Sequence, residues 1–460
     1  MEQLFLTKLL HITNLTDGWK GLYNPFGHKI AFLFDEAIDF IKKGEFDKVS
    51  PKIIQYLSDN NFLVPKGFEE EWLNDKKPAS DIAFTSMFLV TTLDCNFSCG
   101  YCAVIGNIDN KKYLSGTNNV MSKTVGRKAV ALFERQLNLS PPKEARVTFY
   151  GGEPMLNQGL VADLIPLINK ISYTGQQRPV ECVMITNGYV YNSKLVDLFK
   201  HYKTGICVSL DGLEIHQNAA RLLRSNGKST FKRVVSTIEK YVSNGLSVGI
   251  STALGKHNYK DLQKICEFFV ELGVKFIEFQ IPYQVSNESN NYWVSTEGLT
   301  KNLMEVYKFL LSKSVIEGLG HRRVRDLLNG KIHFRDCGAS GSQLVVAPDG
   351  SLGPCHSLTG KDKYFEGNVN DENINPKELK NFKEWASRFP LNMRECHSCP
   401  YISLCGGGCI YNSYIANKTI WGKDPQVCTY MKEMVDWVLK DTWKSTDMYE
   451  KYGIYENELA

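Results

Sequence analysis

The sequence predicts an α/β protein built on a partial barrel of six βα units, with a small N-terminal module before it and a cysteine-rich module after it. Three observations carry that expectation. Between about residues 84 and 283, short β-rich runs alternate with longer amphipathic stretches, the pattern of successive βα units around a parallel sheet. Polar residues and glycines gather just after those runs, at the C-terminal face where such folds place active sites. Beyond about residue 330 the periodicity gives way to Gly, Pro and seven cysteines. A chain of 460 residues exceeds what one hydrophobic core usually holds, and the expected domains are 1–80, 81–325 and 326–460.

Taken in order, residues 1–80 offer strand-like LLHIT and KIAFLF, helix-like EAIDFIKKG and VSPKIIQYLSDNN, and then FLVP. That order fits a winged-helix-like module. In the barrel the expected strands are SMFLVTT, ARVTFY, CVMITN, GICVSL, LSVGIST and KFIEFQ. Between them, TVGRKAVALFERQL, LVADLIPLINKI, STFKRVVSTIEKYVSNG and KDLQKICEFFVELG read as helices, the third closing on a glycine cap. Six strands indicate a partial barrel rather than a closed one of eight. The last region has so little hydrophobic periodicity that metal is expected to hold its shape. No long-period repeat or low-complexity segment suggests a solenoid.

Composition narrows the partners. The formal net charge is +4, with Lys and Arg scattered among Asp and Glu, so a nucleic-acid partner is not expected. No run approaches the roughly 18 apolar residues that span a bilayer. The acid at the second position and the polar residues within MEQLFLTKLLHITN argue against a secretory signal. A cytoplasmic protein without membrane contact is the expectation. Thiols stay reduced there, so thirteen cysteines point to metal rather than to disulfides.

In TTLDCNFSCGYCAV, Cys95, Cys99 and Cys102 follow the first barrel strand with C-x3-C-x2-C spacing. Three thiolates satisfy three irons of a cubane and leave the fourth free for an exchangeable ligand. Spacing alone also leaves open a zinc knuckle or three unpaired core cysteines. After the second strand comes YGGEP, with Gly151, Gly152, Glu153 and Pro154. Glycines allow backbone to approach a ligand closely, and a glutamate accepts hydrogen bonds from an ammonium group. ITNGY and VSLDG bring Thr186, Asn187, Ser209 and Asp211 to the same face.

This order of motifs resembles the radical S-adenosylmethionine (SAM) superfamily. The resemblance implies that the three cysteines hold a 4Fe-4S cluster, that GGEP binds the SAM amino group, and that one electron splits SAM to methionine and a 5'-deoxyadenosyl radical. It further implies that Tyr101 packs near adenine and that Ser209 and Asp211 contact methionine or ribose. Asn187 and Gln280, at strand ends, complete the expected cofactor set. For Ser209, Asp211 and Gln280, a helix cap or turn former is an equally open reading.

The later cysteines form a second pattern. Cys337 is followed after twelve residues by Gly350 and after four more by Cys355; then come Cys396, Cys399, Cys405 and Cys409 as C-x2-C-x5-C-x3-C, and Cys428 last. Structural zinc sites share the C-x2-C element. As a whole the pattern resembles the SPASM extension of radical SAM enzymes, which implies two auxiliary 4Fe-4S clusters and three clusters in all. By that resemblance Cys396, Cys399, Cys405 and Cys428 close one cluster, while Cys337, Cys355 and Cys409 share the other. KIHFRD, just upstream, holds His333 and Asp336 but no cysteine. An open iron there would suit a substrate thiolate. Cys182, Cys207 and Cys266 are expected to be buried core residues.

Cys355 is followed by His356 in a PCH…G…GNV string that resembles maturases installing thioether bonds in ribosomally made peptides. Anaerobic sulfatase-maturating enzymes place an aspartate, the proposed base, at that position. His356 is the expected catalytic base here, with a hydrogen bond to a cluster sulfur as the alternative. Such maturases often pair a winged-helix edge strand with the leader of a precursor peptide, so residues 1–80 are expected to recognise a leader or simply to stabilise the chain. The expectation is therefore thioether formation on a precursor peptide, with a flavodoxin- or ferredoxin-type reductant. Carbon–carbon crosslinking, epimerisation, formylglycine generation and a non-catalytic iron–sulfur carrier are the alternatives.

Overall fold

The alternating runs of the central sequence are joined in one large sheet in the computed structural model, which describes residues 3–76, 81–106, 119–281 and 291–445. Ahead of it stands a small αβ unit. Strand β1 (Leu4–Leu6) pairs antiparallel with β5 (Leu63–Pro65), while β2 (His11–Asn14), β3 (Trp19–Asn24) and β4 (Lys29–Phe34) form an antiparallel sheet in that order. Helices Asp35–Lys43 and Pro51–Asp59 close a separate core of Leu22, Leu33, Ile38, Ile53, Leu57 and Phe62. The sequence reading missed β3, whose Lys20 and Gly21 interrupt the apolar run. Gly21 is required by packing, because a Cβ there would press on Leu439 of the long helix Pro425–Ser445 at 3.2 Å. Trp443 of the same helix packs against Trp19, ring centroids 5.1 Å apart.

The six runs read as barrel strands fall on β6 (Ser86–Thr92), β7 (Arg146–Gly151), β8 (Glu181–Thr186), β9 (Gly205–Ser209), β10 (Val248–Ala253) and β11 (Phe276–Gln280). They lie parallel and in chain order. Helices Lys123–Leu139, Gln158–Asn169, Ser193–His201, Phe231–Ser243 and Leu262–Glu271 cover one face. Met87, Leu89, Val147, Phe149, Ile277 and Phe279 enter the core on that side. Side chains alternate across a strand, so Phe88, Tyr150, Cys207, Ser209 and Glu278 belong to the inner face.

The sheet continues beyond the six. Strand β12 (Ile316–Glu317) adds beside β11, and β13 (Gln343–Val346) adds parallel to β6, followed by the antiparallel β14 (Ser351–Gly353) and β15 (Glu366–Asn368). All four residues of β13 are buried. The cysteine-rich region is thus joined to the barrel through backbone hydrogen bonds and not only by its linker. Among the described residues no helix is long and apolar enough to cross a membrane.

Candidate active site

Beyond Thr92 the chain leaves β6 and enters the loop carrying Cys95, Cys99 and Cys102. The Cys95 sulfur accepts from the Phe97 N–H at 3.4 Å and from Asn187 Nδ2 at 3.7 Å, and the Cys102 N–H donates to the Cys99 carbonyl at 3.1 Å. Burial pushes the free thiols up, Cys95 to about 11 and Cys99 to about 12, and nearby sulfurs add to the rise. Such thiols ionise only when a cation takes the place of the proton. Together with Cys102, whose charge both of them feel, they are a three-thiol donor set that fits an iron–sulfur cluster.

GGEP does something the sequence reading did not anticipate. A Cβ on Gly151, whose φ is +136°, would collide with the Thr92 carbonyl, and one on Gly152 with the Asp94 carbonyl. The Gly152 N–H donates to Thr92 O at 2.8 Å and the Glu153 N–H to Asp94 O at 2.9 Å. The glycines therefore let β7 close on the cysteine loop itself, where close approach to a ligand was expected. Glu153 has no solvent exposure. Its Oε1 accepts from Thr186 Oγ1 at 2.7 Å and Met155 N–H at 2.8 Å, and its Oε2 from Asn187 N–H at 2.6 Å. Burial raises this carboxyl to about 6, against the pull of those three donors. One oxygen keeps spare acceptor capacity for an ammonium. Pro154 is buried and opens the short turn Pro154–Asn157. Asn187 ties the strand ends together, since its Nδ2 also donates to Asn96 Oδ1 at 2.7 Å.

Tyr101 is nearly buried and its hydroxyl donates to Asp211. Asp211 also pairs with Arg221 Nε at 3.0 Å and His257 Nε2 at 3.4 Å, and accepts from the Ala253 N–H at 3.0 Å. Burial pushes Asp211 up, but Arg221 and His257 outweigh it and hold the carboxyl well below the usual range. The guanidinium of Arg221 lies 5.3 Å over the Tyr101 ring, with His257 stacked at 6.0 Å and Tyr292 edge-on at 5.5 Å. Asp211 was expected to touch the cofactor, yet it is fully enclosed and engaged by protein partners. Arg221, His257 and Tyr292 carry no motif that would have marked them. Buried His257 Nδ1 has no hydrogen-bond partner among the described residues, which suits a polar ligand beside Tyr101.

Ser209 ends β9 in register with Ser251. Gln280 is exposed at the end of β11, where its side chain donates to Glu278 Oε1 at 3.4 Å and its backbone pairs with Ala253, whose N–H donates to Asp211. Cys182 and Cys266 are buried as expected, whereas Cys207 is only half-buried on the inner face.

Four cysteines of the second set line one cavity of about 310 Å³: Cys396, Cys399, Cys405 and Cys428, with Lys423 and Lys432 also in its wall. Among the described residues no three Cys, His, Asp or Glu side chains close on one ion position. Four thiols around one cavity are a donor set that suits either a 4Fe-4S cluster or a four-coordinate zinc ion. Cys337, Cys355 and Cys409 form a second neighbourhood. Burial pushes Cys355 up to about 12 with Cys409 adding to it, and the exposed Cys337 lies near enough to Asp336 and Cys355 to feel their charge. The fully buried Arg388, which donates to Ser413 Oγ at 2.7 Å, places a positive charge near Cys409, Cys337 and Cys396.

Asp336 Oδ1 is held by Arg322 and Arg323 at 2.8 Å each, and His333 Nδ1 faces Asp326 at 3.6 Å. The Cys399–Cys405 loop, meanwhile, is gripped by the N-terminal unit. The Tyr401 hydroxyl meets His11 Nδ1 at 2.8 Å, His11 Nε2 meets Asp436 at 2.9 Å, and Ser403 Oγ donates to the Pro25 carbonyl at 2.7 Å.

His356 returns the second set to the barrel. Its ring lies parallel to Phe88 at 4.4 Å and edge-on to Tyr150 at 4.7 Å, both on the inner face. Tyr150 is near enough to both Cys102 and Cys355 to be raised by their charge after burial. Burial lowers His356 to about 4, so the imidazole is neutral at physiological pH, and its Nδ1 has no partner among the described residues.

Comparison with known proteins agrees with this arrangement. The profile of the radical SAM superfamily matches residues 89–269. The radical SAM cyclopropyl synthase TigE of Paramaledivibacter caminithermalis is 21% identical over 401 residues, 85% of this chain and 79% of its own. A cysteine-type anaerobic sulfatase-maturating enzyme of Clostridium perfringens is 28% identical over 337 residues, 68% of this chain and 85% of its own. The crystal structure of anSMEcpe with bound AdoMet and the Kp18Cys peptide superposes with a TM-score of 0.63 at 22% identity, covering 78% of this chain and 99% of that one. Streptococcus suis SuiB bound to precursor peptide SuiA gives 0.53 at 14% identity, over 92% of this chain and 99% of that one. These two structures share the fold.

Proposed function

The chain carries a radical SAM domain over residues 89–269, and on that premise we propose that it matures a cysteine-containing precursor peptide by joining the cysteine sulfur to a carbon. The observation that carries the reading is the position of His356, adjoining Cys355 of the second cysteine set yet stacked on Phe88 and Tyr150 inside the barrel wall. Tyr150 thereby lies close to Cys102 of one sulfur-rich centre and to Cys355 of the other. When bound, the cluster and SAM supply the radical that removes a hydrogen atom from carbon. Cys95, Cys99 and Cys102 would hold that cluster. Glu153, Asn187 and Tyr101 would position SAM, while Arg221 offers its carboxylate a cation.

Cys396, Cys399, Cys405 and Cys428 would hold a closed auxiliary cluster, and Cys337, Cys355 and Cys409 one with a free iron. The substrate thiol would dock at that free iron. Neutral His356 would accept the thiol proton. The balance would be one C–H and one S–H bond lost and one C–S bond formed, the hydrogen atom going to the radical that SAM supplies, the proton to the base and the surplus electron to whatever cluster the second cysteine set would hold. SuiB, crystallised with its precursor peptide, and sulfatase-maturating relatives support a peptide substrate. The N-terminal unit would bind the leader along an edge strand.

TigE, aligned over 85% of this chain, favours carbon–carbon bond formation as the second reading. Anaerobically reconstituted protein, given a cysteine-containing peptide encoded beside its gene, is expected to yield a product lighter by two hydrogens that no longer reacts with iodoacetamide. A product of that mass with a free thiol establishes the carbon–carbon reading instead. Exchange of sulfur for oxygen together with loss of two hydrogens, about eighteen mass units in all, establishes formylglycine formation.

A further inference from the structure

The inner wall of the sheet holds a carboxylate that neither cysteine centre uses. Ile277 and Phe279 of β11 enter the helix-covered core, so Glu278 between them belongs to the inner face. Register sets it beside Ser251, which in turn pairs with Ser209. Cys207 is close enough to feel its charge. The side chain is surrounded by protein yet remains half-buried rather than sealed.

This carboxylate is poorly satisfied. Among the described residues its hydrogen bond is the one from Gln280 Nε2, at 3.4 Å. That is long for a bond to an ionised acceptor, where about 2.7–2.9 Å is usual. Nearby cations are already committed, because Arg322 and Arg323 both bind Asp336. A Cβ on Gly318 would strike the Glu278 carboxylate, so the helix Gly318–Leu328 starts with a residue that leaves it room. Burial raises the carboxyl to about 7, with Arg322 and Arg323 lowering it and Asp336 raising it, and its charge in turn raises the buried Glu317 beside Gly318. A half-buried carboxylate with one long hydrogen bond, its neighbouring guanidinium groups turned to Asp336, keeps acceptor capacity for a further cation.

We infer that Glu278, with Gln280 at the strand end, is a recognition subsite for a lysine or arginine side chain of the peptide substrate. It stands on β11 while His356 stacks on β6 and β7, so the basic residue binds at the opposite lip of the sheet from the residue being modified. The inference rests on the peptide reading above, and it adds a sequence requirement that the peptide must meet.

The test uses the reconstituted holoenzyme and pairs of short fluorescent cysteine-containing peptides, identical except for Lys or Gln at one scanned position, with binding followed by anisotropy. At one position the Lys peptide is expected to bind on the order of tenfold more tightly, the value of one charge-assisted hydrogen bond. That preference should grow as pH rises through about 7. In Glu278→Gln, with iron content and unfolding midpoint as controls, the preference and its pH dependence should vanish. Persistence of the preference in Glu278→Gln overturns the inference. So does a wild-type protein that binds the peptides without discriminating them at any position, a result that needs no variant to fold. If the wild type neither binds nor converts any peptide, the peptide reading falls and this inference with it, a different outcome from binding without preference.

Discussion

Glu153 shows how one buried side chain ties chemistry to pH. Its folded value of about 6 lies above the ordinary 4.5, so the folded chain holds this proton more tightly than the unfolded chain does. Stability from this group is therefore full below pH 4.5 and lost as pH rises through about 6. The charged form that an ammonium requires appears only over that same rise. SAM affinity measured by equilibrium binding should accordingly drop as pH falls below about 6. Glu153→Gln turns an amide donor toward the Thr186, Met155 and Asn187 groups that now donate to the acid, and should cost about 1–3 kcal/mol in denaturant unfolding. At His356, removal of the ring nitrogens in His356→Phe should slow crosslinking about 100-fold in single-turnover assays, while His356→Asp, which restores a base, should recover part of the loss. Motif order alone marked Cys95 and Glu153 as candidates. Arg221, His257 and Arg388 carry no such mark, because folding alone brings them beside Asp211 or the buried thiols.

Among the elements, β6 to β11 were legible because each is a compact apolar run followed by a polar turn. Strands β3 and β13 were not: Gly21 breaks the first to admit Leu439, and the second is a four-residue strand between glycine-rich turns. The N-terminal unit was recognisable as a separate module, but its grip on the Cys399–Cys405 loop depends on His11, Pro25 and Tyr401, which no local pattern links. His11→Ala should accordingly hasten loss of iron from the Cys396–Cys428 site to a chelator, followed by absorbance. His28 joins the same interface, meeting Tyr23 at 2.8 Å through Nδ1 and the Lys331 carbonyl at 3.0 Å through Nε2. Burial lowers it to about 4 from 6.5. A depressed histidine stabilises the fold above its unfolded value and loses that contribution as pH falls toward its folded one. Unfolding midpoints should therefore decline between pH 6.5 and 4, by up to about 3 kcal/mol more in the wild type than in His28→Gln.

Across the whole molecule, two cysteine groups far apart in sequence meet because β13 lies against β6. The sequence revealed both groups but not this contact, since parallel pairing between strands some 250 residues apart leaves no local trace. Cys428→Ser should remove one cluster's worth of iron and leave the signal of the Cys95–Cys102 site in electron paramagnetic resonance, whereas Cys99→Ala should do the reverse. The same seam governs how the chain is made. While it is on the ribosome, β6 emerges long before its neighbour at residues 343–346 and waits with an unsatisfied edge, the kind of edge that recruits other chains. A truncation at residue 325 would keep every predicted barrel strand and still leave that edge bare. It should aggregate on expression, and supplying the missing C-terminal part as a separate polypeptide should restore soluble protein.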